Sequence, residues 1–259
     1  MKKLFTTFCF ILSFIFIATA SFAAKANEDV NSLWAKGNEA YSMGEFNNAI
    51  ECYSKIEKQG LVSAALYYNM GNAYYRLKEN GKAILYYERT LKVDPANSDA
   101  RINLQFAGAQ TLDKIEEVPD FIFVTWIKNV RNSLSSNGWA TLALVLIGVT
   151  LLFLLAFKFV GRRRAKKIYF IISCCVFFFT VISFLFAVNL AVRANSSDSA
   201  IVMNNIGNVK SAPNTTGNSI FVLHQGTKLK ILEKAEGWDR IQIKDGRQGW
   251  IETSDIEVI

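Results

Sequence analysis

Two stretches of the chain share one pattern: residues 34–53 read WAKGNEAYSMGEFNNAIECY and residues 68–87 read YNMGNAYYRLKENGKAILYY. A shift of 34 residues aligns Gly37-Asn38 with Gly71-Asn72, Ala49-Ile50 with Ala83-Ile84, and Tyr53 with Tyr87. Small residues at these fixed offsets predict two antiparallel helices that approach closely in each copy, and the tyrosines are predicted to fill the space between copies. The sequence therefore predicts a helical repeat.

This period and its glycine, alanine and aromatic offsets resemble the tetratricopeptide repeat (TPR), with copies at residues 30–63 and 64–97. The resemblance implies an all-α solenoid. Because such arrays bury their apolar faces only by stacking, residues 98–114 are predicted to form a capping helix that begins after Asn97. The predicted TPR domain covers residues 25–117.

In the TPR family the first helix of each repeat lines a concave groove that binds protein segments. The resemblance implies a partner-binding groove lined by aromatic and amide side chains: Trp34, Asn38, Tyr41, Tyr68, Asn69, Asn72 and Tyr75. Such residues suit peptide recognition, although Trp34, Tyr68 and Tyr75 could equally pack within their repeats. Relatives that clamp a terminal carboxylate need lysine at the positions of Trp34 and Asp99, so that mode is excluded.

The apolar residues outside the repeats are concentrated in three segments. Residues 1–24 combine Lys2 and Lys3, an apolar run and small residues, which predicts a secretory signal peptide; an uncleaved anchor is the alternative. Residues 138–160 and 168–192 are each long enough to cross a bilayer. The sequence therefore predicts a multidomain membrane protein with two transmembrane helices after signal cleavage.

The loop between the predicted spans, residues 161–167, carries five cations and is predicted to be cytoplasmic. Both flanking domains would then lie on the periplasmic side of a bacterial inner membrane. Together with Lys2, Lys3 and Lys158, this loop carries more positive charge than the net +7, so the rest of the chain is close to neutral. The basic composition thus reports membrane topology, and nucleic acid is not expected as a partner.

Residues 118–137 approach the first span with an apolar stripe around Trp126 and Ile127, interleaved with Lys128 and Arg131. This pattern predicts an amphipathic linker. It could lie in the membrane interface or pack on the TPR domain, and the sequence does not choose between the two.

Residues 193–259 change to short alternating strands separated by glycine turns, which predicts an all-β barrel. The signals Val209–Pro213, Phe221–Thr227, Gly237-Trp238, Asp245-Gly246 and Gly249–Ile251 resemble the bacterial SH3 (SH3b) domain. The resemblance implies that Trp238 faces a ligand and that Trp250 belongs to the core. Proline-rich ligands are disfavoured because the groove tyrosines are missing. A protein partner is favoured over peptidoglycan, which stays open.

No arrangement of residues predicts an enzyme, a cofactor or a metal site. His224, the single histidine, invites comparison with cell-wall hydrolases that join an SH3b domain to a Cys/His protease. That chemistry needs a neighbouring activated cysteine. Cys52 is predicted to lie in a repeat helix, so His224 is expected to be structural.

The order of modules resembles the BatE-like proteins of Bacteroides aerotolerance (Bat) operons. These operons also encode membrane proteins with von Willebrand A domains and a MoxR-type AAA+ ATPase. The resemblance implies a non-catalytic adaptor for protein–protein interaction in an aerotolerance or envelope-stress complex, with the von Willebrand A proteins as partners. A cell-wall anchor that binds peptidoglycan is the alternative, and a redox role is disfavoured because Cys52 has no CxxC partner.

Overall fold

The computed structural model describes residues 29–115 and 119–259. The predicted signal peptide, residues 1–24, lies outside these residues. The chain divides into two compact units at Val62/Ser63. In outline the layout is as predicted: an α-helical N-terminal part, two apolar helices and a C-terminal antiparallel sheet.

The first unit holds one helical pair. Helix α1 covers residues 29–42 and helix α2 covers Phe46–Lys58. Gly44, with φ of +82°, lies in the turn between them, a conformation that glycine adopts without strain. A Cβ atom on Gly37 would lie 2.5 Å from the Tyr53 ring, so the glycine allows this ring to sit against α1.

The second unit begins with the same motif. Helices α3 (Ala64–Arg76) and α4 (Asn80–Val93) form a pair, and a Cβ on Gly71 would lie 2.7 Å from the Tyr87 ring. The repeated tyrosine therefore fills space opened by the glycine of its own repeat. Helix α5 (Ser98–Ala109) packs on α4 and begins where the Asn97 side chain accepts from the Ala100 N–H, 2.8 Å away.

Helix α5 ends at Ala109, five residues before the predicted end of the capping helix. Leu112 lies within the predicted capping helix, residues 98–114, but its side chain is exposed. The physical reason lies in the following turn, because Thr111 Oγ1 and Lys114 Nζ donate to the carbonyl oxygens of Gly108 and Ala109, each 2.8 Å away. These side chains satisfy carbonyls that a continuing helix would use.

Helix α6 (Ile122–Arg131) precedes α7 (Ser136–Phe159) and α8 (Arg163–Ala194). By length and composition, α7 and α8 are the two helices of the described chain that could cross a membrane. They pack together through small buried side chains, as helices do in lipid: Ala143, Thr150, Ser173, Thr180, Ser183 and Ala187. The loop between α7 and α8 is shorter than the predicted residues 161–167, because Arg163–Lys167 already form the start of α8.

The remaining residues form one antiparallel sheet in the order β3-β2-β6-β5-β4-β1-β7. The strands are β1 (Ser199–Val202), β2 (Ile206–Lys210), β3 (Ser219–His224), β4 (Lys228–Ala235), β5 (Trp238–Gln242), β6 (Gln248–Glu252) and β7 (Ile256–Val258). The sheet encloses aliphatic residues that alternate along the strands, among them Val209, Leu223, Ile241 and Ile251.

Replacing Gly71 by alanine should destabilise the second repeat, because the added methyl group meets the buried Tyr87 ring. We expect the free energy of opening of α3 and α4 to fall by about 1–3 kcal/mol. Hydrogen exchange of the full-length protein, followed by mass spectrometry, measures this locally. Gly108→Ala in α5 is the matched control: nothing lies within 4 Å of its added Cβ. It should slow exchange slightly, by the ~1 kcal/mol that alanine gains over glycine in a helix. Equal effects of the two variants would contradict the assigned role of Gly71.

Candidate functional site

In the second unit, the predicted groove residues on α3 meet polar side chains of α5. Asn103 Nδ2 donates to Asn72 Oδ1 (2.9 Å) and to the Tyr68 hydroxyl (3.4 Å). Gln110 Nε2 donates to the Tyr75 hydroxyl (2.9 Å). Asn69 is half-buried on the same helix. The structure thus brings the α3 residues together with Asn103 and Gln110, which the sequence interpretation did not include.

The asparagines at the repeated position have a structural task. Tyr87 donates its hydroxyl proton to Asn72 Oδ1, and Tyr53 donates to Asn38 Oδ1, both over 2.8 Å. Each bond satisfies the hydroxyl of a tyrosine whose side chain is fully buried. The amide oxygens of Asn38 and Asn72 are therefore used inside their own repeats.

The predicted groove aromatics also contact rings of their own repeats. The Trp34 and Tyr53 ring centroids are 5.6 Å apart, and those of Tyr68 and Tyr87 are 6.3 Å apart. Tyr41 meets Phe46 edge-on at 5.3 Å. The side chains of Trp34, Tyr41 and Tyr68 remain half-buried, so these residues pack within their repeats and are still partly exposed. Their role in partner binding stays a prediction.

Helix α5 adds an exposed apolar pair, Ile102 and Phe106, which are 48% and 59% exposed. A second application of the 34-residue shift places Ile102 at the position of Tyr68 and Phe106 at that of Asn72. The same shift pairs Ala73 with Ala107, and both are buried. The signal was therefore present in the sequence, and we call Ile102, Asn103, Phe106 and Gln110 the α5 face.

The barrel of the second unit packs against a stripe along α4. Lys228 Nζ pairs with Glu88 (2.6 Å), and Arg89 donates to Glu257 (3.0 Å) and to the carbonyl oxygen of Val258 (2.9 Å). One turn further on, Lys92 Nζ donates to the main-chain oxygens of Ser196 and Ile259. Burial lowers the pKa of this lysine. The contact is thus largely ionic.

Asp113, just after α5, ties the repeat to the turn between β3 and β4. Its Oδ2 accepts from the His224 backbone N–H (2.7 Å) and from Thr227 Oγ1 (2.5 Å), while its Oδ1 is 2.7 Å from His224 Nδ1. Next to it, Ile115 packs against the barrel core. We call Asp113, His224 and Thr227 the Asp113 clasp. His224 thus takes part in the contact between the repeat and the barrel, and its lack of a catalytic role stays a prediction.

The pKa of Asp113 reflects two opposing causes. Burial raises it, but the hydrogen bonds from Thr227 and His224 outweigh burial and hold the pKa below its ordinary value. A depressed folded-state pKa means that the clasp adds stability above the unfolded pKa of about 4 and loses it as the pH falls further.

Glycines give the barrel turn close access to the helices. Gly226, with φ of +91°, lies where an added Cβ would be 2.8 Å from Thr111 and 2.9 Å from Ile84. A Cβ on Gly81 of α4 would lie 2.5 Å from Gln225. Side chains at these two positions would push the turn away from α4 and α5.

The two barrel tryptophans have exposures opposite to those expected. Trp238 is 8% exposed and has Lys210 Nζ 5.1 Å from its ring centroid, whereas Trp250 is half-buried. Alternation along a strand does not say which face of a closed barrel is covered. A ligand-binding role for Trp238 stays a prediction. The exposed apolar surface of the barrel is instead aliphatic: Ile206, Ile220 and Val222 on β2 and β3.

The comparisons agree with two of the predicted modules. Residues 64–97 match the tetratricopeptide repeat family, and residues 205–257 match the bacterial SH3 domain family. The prediction of a tetratricopeptide repeat and of a bacterial SH3 domain is confirmed, whereas a second such repeat at residues 30–63 stays a prediction. A search of curated proteins gives no match. Domains of these classes point to protein–protein interaction or to cell-wall binding.

Gly226→Ala should loosen the contact between the barrel and the helices. The substitution adds the ~1–2 kcal/mol cost of a positive φ and also a clash with Ile84 and Thr111. Gly246→Ala is the control, because its φ of +92° carries the same cost while no atom lies within 4 Å. Hydrogen exchange should accelerate in residues 111–115 only in the Gly226 variant. Acceleration there in both variants would contradict a contact role for Gly226.

Asp113→Asn should remove a pH dependence. In the unaltered protein, we expect exchange protection of residues 224–227 to fall as the pH drops below about 4, because protonation weakens the clasp. In the variant, the free energy of protection of residues 224–227 should be lower by about 1–3 kcal/mol at neutral pH. It should change little as the pH falls below about 4. Asp245→Asn is the control, since the depressed pKa of Asp245 arises from Arg247 in its own hairpin. If protection of residues 224–227 in Asp113→Asn still fell at a pH below about 4, the pH dependence would belong to another titrating group.

Proposed function

We propose that the protein is a non-catalytic adaptor, anchored in a bacterial inner membrane by α7 and α8, that presents its repeat and barrel to periplasmic proteins. One observation carries the proposal: the contact between Asp113 and the His224–Thr227 turn joins residues that precede both apolar helices to residues that follow them. Two domains in contact lie on one side of any membrane that the hairpin crosses.

The charge distribution supports the same orientation. Arg162–Arg164, Lys166 and Lys167 lie at the far end of the hairpin from the barrel, where a short basic connection favours the cytoplasm. The repeat and the barrel then face the periplasm, which agrees with a bacterial SH3 domain outside the cytoplasm.

The exposed surfaces favour protein partners. Ile102 and Phe106 on the α5 face, and Ile206, Ile220 and Val222 on the barrel, are apolar and open. None of these side chains can form hydrogen bonds to a glycan, whereas exposed apolar patches of this kind mark protein contacts. The resemblance of the module order to BatE-like proteins suggests membrane proteins with von Willebrand A domains as partners, in a Bat-type aerotolerance complex.

A second function, anchoring to peptidoglycan through the barrel, has one supporting observation. The match to the bacterial SH3 domain covers almost the whole barrel, and some domains of this class bind cell-wall peptides. Trp238 would then contact the wall after its cover, Lys210, moves aside.

The test is crosslinking of the full-length protein in its native membrane, followed by affinity capture and mass spectrometry. We compare Ile102→Ser/Phe106→Ser with Ile220→Ser/Val222→Ser, since both pairs replace exposed apolar side chains. The first pair should lower recovery of von Willebrand A proteins at least tenfold, because interface anchors carry most binding energy. The second pair lies on the barrel, whose apolar surface we assign to a different protein partner, so it should leave recovery of the von Willebrand A proteins unchanged.

Recovery of wall fragments with no membrane protein would overturn the adaptor and favour the anchor. If the first variant captured the partners as well as the unaltered protein does, the binding surface would lie outside the α5 face.

A further inference from the structure

The end of the α7–α8 hairpin next to the barrel carries a docked helix. Trp139 of α7 donates its indole N–H to the Arg131 carbonyl oxygen (2.7 Å) and meets the Phe186 ring edge-on at 5.1 Å. Ser136 Oγ donates to the Ala187 carbonyl oxygen (2.9 Å), and Val130 packs against the same cluster. These contacts fix the C-terminal end of α6 against the hairpin.

The rest of α6 is uncovered. No residue of this helix is buried, and Phe121, Phe123 and Trp126 are 86%, 77% and 64% exposed. Ile122, Phe123, Trp126, Ile127 and Val130 lie on one stripe at helical spacing. Water disfavours such a stripe, but the boundary between headgroups and acyl chains accommodates aromatic and cationic side chains together. The exposure favours the interfacial alternative for the amphipathic linker.

Two arginines, Arg131 of α6 and Arg193 of α8, lie at the edge of this stripe. Arg131 donates from Nη1 to Asn189 Oδ1 (3.2 Å) and from Nε to Asn132 Oδ1 (3.1 Å), so its protein partners are neutral amides. Arg193 lies one turn after Asn189 on α8, and burial together with repulsion from Arg193 lowers the pKa of Arg131. Within residues 29–115 and 119–259, neither guanidinium has a carboxylate in ion-pair contact. Because Arg131 is hydrogen-bonded to Asn189, one turn before Arg193 on α8, an anion at this position can contact both guanidiniums.

A cavity of about 330 Å³ opens beside Arg193, and Asn132 and Leu190 line it as well. Its lining also holds the cations Lys92, Arg101 and Lys228 and the carboxylates Glu88 and Asp198, so cations outnumber carboxylates. A neighbouring cavity of about 390 Å³ shares Arg101 and Asn132 and extends to Asn129 and Ser133. This excess of cations suits a phosphate group, and Leu190 belongs to the buried apolar cluster at this end of the hairpin. The polar part of a phospholipid headgroup fits this sequence of environments.

We propose that α6 and the Arg131–Arg193 pair form a binding site for an anionic phospholipid, with the phosphate between the arginines and the acyl chains along the aromatic stripe. The site rests on the proposed membrane orientation, because it needs the α6 end of the hairpin at a bilayer surface. The bound phospholipid orients α6 and thereby sets the orientation of the repeat and the barrel relative to the membrane surface.

The test uses full-length protein in nanodiscs of phosphatidylcholine with or without phosphatidylglycerol. Phosphatidylglycerol retained after detergent extraction is counted by native mass spectrometry. Arg131→Gln/Arg193→Gln should lower its retention roughly tenfold or more, since each cation at a membrane surface contributes appreciably to anionic lipid binding. Arg240→Gln/Arg247→Gln makes the same change of charge on barrel arginines that pair with Glu233 and Asp245, and should have no effect.

Phe123→Ser/Trp126→Ser gives an independent variant, since both side chains are exposed and their loss does not disturb the core. It should also lower retention. Equal retention by the protein and both site variants would overturn the proposal, as would displacement of the lipid by millimolar inorganic phosphate, which would assign the site to a free anion.

Protease protection in the same nanodiscs separates this inference from the proposed function. Protected α7 and α8 with no preference for phosphatidylglycerol would overturn the lipid site and leave the adaptor. Cleavage within α7 or α8 would overturn the membrane anchor itself, and the lipid site with it.

Discussion

The carboxylate of Asp113 makes the contact on which the arrangement of the second unit depends. It lies at the end of the repeat and accepts hydrogen bonds from His224 and Thr227 in a barrel turn that follows both apolar helices. Such a bond closes a long loop in the chain, and it is favourable only because burial and charge strengthen it. The barrel, the repeat and the base of the α7–α8 hairpin are thereby held in one compact unit.

The ionic stripe of α4 completes this contact without a large apolar interface. Glu88, Arg89 and Lys92 each find an oppositely charged or main-chain partner on the barrel side. Close packing is possible because Gly81 and Gly226 leave room for the turn. A contact of this kind fixes orientation, while the exposed apolar side chains of α5 and of β2–β3 remain available for other molecules.

Three surfaces of two kinds are thus placed at one end of the helical hairpin. The α5 face and the barrel face are apolar and suit protein partners, whereas α6 with its arginines suits a lipid surface. This division of surfaces agrees with the proposed adaptor role. Among residues 29–115 and 119–259, no group of acidic, cysteine or histidine side chains is arranged to hold a metal ion.

The sequence by itself determined the elements, because their signals are local. The repeated glycines and tyrosines predicted the helical pairs, continuous apolar runs predicted α7 and α8, and alternation with glycine turns predicted the barrel. The groove residues were found on the expected helices, yet Asn38 and Asn72 proved to serve their buried tyrosines. Only the tertiary structure decided the Asp113 clasp, the position of Lys210 over Trp238 and the hydrogen bond from Arg131 to Asn189 on α8. These features join residues that are distant in the chain, and no periodicity in a sequence specifies which distant side chains will meet.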